Sequence, residues 1–140
     1  MFSSPQDVLE FYRAKPDVSV SQAGEAHSIV LSRPDFSIAI TIPDKVLEWF
    51  VEVTQQDQVV ATDWCDYAGY DDTPMPDLKR DMAQDIDRFV KSLLASELRV
   101  SRVGKKSILE GLIEGGGGNL FLWRLLIERL VLADCRSSPG

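Results

Sequence analysis

The sequence is short of histidine, cysteine and long apolar runs, and each shortage removes a class of chemistry. A single histidine, His27, excludes histidine-rich metal centres such as His-Glu-x-x-His, and a lone histidine is more often structural than catalytic. The two cysteines, Cys65 and Cys135, stand far apart and in no Cys-x-x-Cys pattern, which gives neither a disulfide framework nor a zinc site. That usage points to a reducing cytosol, in which the two are not expected to pair. No apolar run approaches the roughly 18–20 residues of a membrane span, and the first residues lack the basic start and apolar stretch of a signal peptide. A soluble, cytoplasmic protein without membrane contact is therefore expected.

Nucleotide-binding motifs are also missing. Gly104-Lys105-Lys106-Ser107 resembles the end of a phosphate loop, but the glycine required five residues earlier is Arg99. Gly115 to Gly118 form an unbroken tract without the spacing of a dinucleotide fingerprint. No cofactor is implied.

What is present is an ordinary globular composition, 44% hydrophobic and 26% charged over 140 residues, large enough to bury a core. The net charge of −7 is unevenly spread: residues 1–90 carry 17 acids and 7 bases, and residues 91–140 carry 5 acids and 8 bases. An acidic body repels phosphate backbones, so nucleic acid is disfavoured and a basic protein partner is favoured. Simple solubility explains such a charge equally well.

Hydrophobic spacing divides the chain. Ser4-Pro5-Gln6-Asp7 is a helix start, with Ser4 as N-cap and Pro5 at the first position, and the short helix must stop before Pro16. The period then falls to 2. Val18 and Val20, Ile29 and Leu31, and the run from Phe36 to Ile42 alternate as strands, as do Trp49, Val51 and Val53 against Phe50, Glu52 and Thr54. Val59 to Trp64 supplies a hairpin partner. Short connections demand antiparallel pairing.

From about Pro76 to Glu97 the period returns to 3.6, with Leu78, Met82, Ile86, Phe89, Val90 and Leu93 on one stripe. Lys79, Arg80, Asp81, Gln84, Asp87, Arg88 and Lys91 fall on the wet side. Leu98 to Val103 alternates again as a further, edge strand, and Ile108 to Ile113 fits a strand or a helical turn. Leucine-rich residues 120–133 favour helix.

The expected fold is α+β: an antiparallel meander of about 5–6 strands, a short N-terminal helix and one long amphipathic helix on one face, with a helical C-terminal segment. Residues 1–114 form one domain. Residues 115–140 hold the glycine tract and an apolar segment packed on the domain or on a partner chain, with a homodimer through residues 120–133 as one outcome.

One constellation invites a functional reading. From Asp57 to Asp77 stand six aspartates (57, 63, 66, 71, 72 and 77) and no lysine or arginine, interleaved with Trp64, Tyr67 and Tyr70. The spacing is not that of a calcium loop, so no metal is expected. A glycosidase-type carboxylate pair needs positions that spacing cannot establish. A protein-binding patch needs only aromatics to bury and carboxylates to meet a basic partner; its residues would be Trp64, Asp66, Tyr67, Tyr70, Asp71 and Asp72. Against this stands a purely structural role, with Trp64 pointing into the core and Asp71 or Thr73 capping the long helix.

Glu48-Trp49-Phe50-Val51-Glu52-Val53, then Asp63-Trp64-Cys65-Asp66-Tyr67, then Asp81-Met82-Ala83-Gln84-Asp85-Ile86 together resemble small bacterial toxin-immunity proteins across residues 45–100. The resemblance implies a cytosolic, non-catalytic inhibitor that covers a toxin's active cleft and presents carboxylates to it. The alternatives that the residues leave open are a homo-oligomeric interaction module and a small enzyme or ligand-binding protein with a carboxylate-lined pocket.

Overall fold

The computed structural model describes residues 2–67, 74–114 and 120–124. Helix α1 (Pro5–Arg13) leads into five strands, β1 (Ser19–Ala23), β2 (Ala26–Ser32), β3 (Ser37–Pro43), β4 (Glu48–Gln55) and β5 (Gln58–Asp66). They pair antiparallel in sequence order, as the short connections require. Helix α2 (Met75–Ala95) follows, and then β6 (Glu97–Val103), β7 (Lys106–Glu114) and β8 (Leu120–Arg124).

Two of the turns show why the register holds. The β1–β2 connection is two residues long and places Gly24 first, at φ 60°, a conformation that glycine adopts without steric cost. The β4–β5 connection puts both Gln56 and Asp57 at positive φ, 52° and 63°, the backbone that a tight hairpin between twisted strands needs. A bulge between Val53 and Thr54 shifts the register of that hairpin.

Ser4 occupies the N-cap of α1, but its side chain makes no capping bond. Asp7 acts instead, its carboxylate accepting the Ser3 N–H at 3.0 Å. At α2 the cap position is Pro74, again without a side-chain bond; Asp71 and Thr73 lie outside the described residues.

Alternation does the sorting. Ile29, Leu31, Ile38, Ile40, Ile42, Trp49, Val51 and Val53 are all buried on one face of the five-stranded sheet. Leu78, Met82, Ile86, Phe89, Val90 and Leu93 of α2, with Val8, Leu9 and Tyr12 of α1, close the core with them. Trp49 and Phe89 meet with ring centroids 5.5 Å apart.

Two expectations are corrected. The meander has five strands, within the expected number, but the strand that follows the long helix does not join it: β6, β7 and β8 form a separate three-stranded sheet, because β6, arriving after the 21-residue helix, pairs with β7 rather than with β5. Of the two readings open for Ile108 to Ile113, the structure has the strand. Residues 120–124 are strand, not helix: their backbone pairs with β7, and ladder bonding outweighs the modest helix preference of leucine. The remainder of the expected helix and homodimer segment, 125–133, lies outside the described residues. Cys65 is buried in the core; the expectation about its pairing with Cys135 falls on a residue outside the described ones.

β6 is indeed an edge strand, of the second sheet. Buried Glu110 on β7 holds it in place: its Oε2 accepts from Arg99 Nε at 2.8 Å and from Ser101 Oγ at 3.0 Å. No helix among the described residues is long and apolar enough to cross a membrane.

Candidate functional site

Among the described residues both helices pack on the same face of the large sheet, and the opposite face carries the alternate residues of each strand. On β1 to β3 most of these are small or hydroxylic, including Ser21, Ser28, Ala39 and Thr41, with Val30 an apolar exception and with Ser28 Oγ and Thr41 Oγ1 3.1 Å apart. On β4 and β5 the character changes. Glu48, Phe50 and Glu52 alternate outward against buried Trp49, Val51 and Val53, and Thr62, Trp64 and Asp66 share their face by register, Phe50 opposite Trp64, Glu52 opposite Thr62 and Glu48 opposite Asp66.

Trp64 is 44% exposed on β5, the edge strand of the large sheet. Its backbone is fixed by its own N–H, which donates to Asp63 Oδ1 at 2.8 Å. Beside it lies a shallow cavity of about 300 Å³, lined by Thr41, Phe50, Val51, Glu52, Thr62, Asp63 and Trp64.

 A separate groove of about 510 Å³ lies between the start of α1, the β3–β4 loop and the start of α2. Glu52 makes no ion pair or side-chain hydrogen bond among the described residues, and neither does Glu48. The five strands contain no lysine or arginine at all, so nothing cationic on the strands neutralises these carboxylates.

The six residues read from the sequence separate into three groups. Trp64 and Asp66 stand on the outer face, Trp64 exposed and Asp66 half-buried. Tyr67 does not: it is 1% exposed, because its hydroxyl is claimed from both sides. It accepts the Trp49 indole N–H at 3.1 Å and donates to Asp85 Oδ2 at 2.6 Å. Burial first, and then the Asp85 carboxylate, push its ionisation well above the ordinary tyrosine range. Tyr70, Asp71 and Asp72 lie outside the described residues.

Asp85 is itself buried and also accepts from Arg88 at 3.2 Å. A second pair copies the arrangement nearer the N-terminus, where Tyr12 donates to Asp87 Oδ1 at 2.6 Å and Lys91 approaches Asp87 Oδ2 at 2.9 Å. Asp87 is therefore not on the wet side of α2, as its place in the helical pattern suggests; the hydroxyl of Tyr12 reaches it across the α1–α2 contact. These tyrosine–aspartate pairs fasten the helices and the β5 exit to the core.

Sequence reasoning missed Phe50, Glu48 and Glu52 as members of the outer patch. The signal was their alternation against Trp49, Val51 and Val53. Of the other aspartates of the segment, Asp63 lines the cavity beside Trp64, whereas Asp57 sits in the β4–β5 turn and Asp77 pairs with Arg80 at 3.0 Å at the start of α2. Among the described residues no three metal-ligating side chains cluster. His27 Nδ1 lies 2.8 Å from Asp44 Oδ1, which ties β2 to the β3–β4 loop. Compared with protein-family models, curated proteins and solved structures, the chain matches none at a significant level.

Proposed function

We propose that this chain is a non-catalytic protein-binding module, and within that class an immunity protein that neutralises a cognate bacterial toxin by covering its active site. The observation that supports the reading is the position of Trp64: exposed, opposite Phe50, on the helix-free face of the sheet, among Glu48, Glu52 and Asp66. An aromatic anchor surrounded by carboxylates suits a basic protein surface, the aromatic supplying buried area and the charges supplying encounter rate and register. The partner surface thus moves from the 64–72 segment to the outer face of β4 and β5.

Co-expression with a toxin domain encoded beside its gene tests the reading. The wild-type chain restores growth, whereas Trp64→Ala and the double reversal Glu48→Lys with Glu52→Lys fail to do so while melting at the wild-type temperature. Protection by the variants equal to wild type, or no protection by the wild type, overturns it.

A further inference from the structure

We infer that the cavity beside Trp64 receives a single arginine side chain of the basic partner. This rests on the proposed role of the outer face as a protein-binding surface, and it names the group that the face reads. At about 300 Å³ the cavity lies at the lower limit of ligand pockets, which run from about 300 to 1,000 Å³, so it suits one side chain rather than a large ligand. Its walls match a guanidinium. The indole of Trp64 offers a flat π-face for a planar cation, Glu52 offers a carboxylate, and the hydroxyls of Thr41 and Thr62 offer further acceptors.

Arginine fits this set better than lysine. Its delocalised, weakly hydrated plane stacks on an indole and still directs N–H groups sideways to a carboxylate, whereas an ammonium is a compact and strongly hydrated point charge. The absence of lysine and arginine from all five strands leaves the site without an internal competitor on the sheet.

The test is an NMR titration of the isotope-labelled full chain with three glycine-flanked tripeptides whose central residue is arginine, lysine or the neutral isostere citrulline. The Trp64 indole resonance is assigned by its loss in Trp64→Phe. The arginine peptide is expected to shift that resonance, with lysine weaker by about two- to fivefold and citrulline silent. Glu52→Gln should weaken arginine binding several-fold, and Glu10→Gln, on the exposed side of α1, should leave it unchanged. Equal responses to arginine and lysine, or no shift at Trp64, overturn the arginine pocket while leaving the growth assay free to support the protein-binding role. A selective arginine response together with unimpaired protection by Glu52→Gln and Trp64→Ala supports the pocket and overturns the immunity reading.

Discussion

Tyr67 and Asp85, eighteen positions apart in the chain, meet inside the core across a hydrogen bond of 2.6 Å. The bond joins the end of β5 to the middle of α2, and through the Trp49 indole it continues to β4. Tyr67→Phe removes the acceptor of a buried N–H and a donor to a buried carboxylate at once. A loss of about 2–3 kcal/mol is expected, read as a lower denaturant midpoint with an unchanged slope.

Alkaline pH addresses both tyrosine pairs. Burial and a neighbouring aspartate raise Tyr12 and Tyr67 above their ordinary value of 10.0, so the neutral hydroxyls favour the native state. That contribution is intact below pH 10 and is lost as the pH climbs from there towards the raised folded values, because the unfolded chain then releases protons that the native chain retains. Each tyrosine adds a slope of up to about 1.4 kcal/mol per pH unit. Ultraviolet titration should show two of the three tyrosines ionising only as the protein unfolds, and Tyr12→Phe with Tyr67→Phe should flatten the alkaline limb.

The two described tryptophans of the large sheet should behave oppositely. Trp49 is fully buried and Trp64 is 44% exposed. Trp49→Ala is expected to cost about 3–5 kcal/mol, whereas Trp64→Ala should change stability by no more than about 0.5 kcal/mol. Thermal melts of the two variants separate them, and a large loss from Trp64→Ala would assign that ring to the core.

The β4–β5 turn holds Gln56 and Asp57 at positive φ, where asparagine and glycine are the favoured residues. Gln56→Asn with Asp57→Gly should raise stability by about 1 kcal/mol, seen as a higher melting temperature. Loss of stability would mean that the native side chains make compensating contacts.

The periodic parts of the fold were legible. Ile38, Ile40 and Ile42 announce a strand with one buried face, and the Leu78–Met82–Ile86–Phe89–Leu93 stripe announces a helix lying on it. The site was legible only in part. Trp64 carries no mark that tells an outward strand residue from an inward one until its register with Phe50 is known, and Tyr67 shares its composition with a surface aromatic while its hydroxyl is spoken for by Asp85. Asp87 shows the same limit from the other side: helical spacing places it in water, and only the approach of Tyr12, 75 positions away, makes its burial tolerable. The second sheet was hidden because the pairing of β6 with β7 instead of β5 is a choice between partners, which alternation within one strand does not encode.

The order of the elements has a consequence for synthesis. All five strands of the large sheet are complete at Asp66, nine residues before α2 begins at Met75. A ribosome therefore releases a sheet whose apolar face, from Ile29 to Val53, awaits most of its cover. Nascent chains arrested before α2 should bind chaperones and be cut readily by protease, and both properties should vanish once the chain extends past Leu93. In the order of synthesis the long helix is the element that closes the core over the finished sheet.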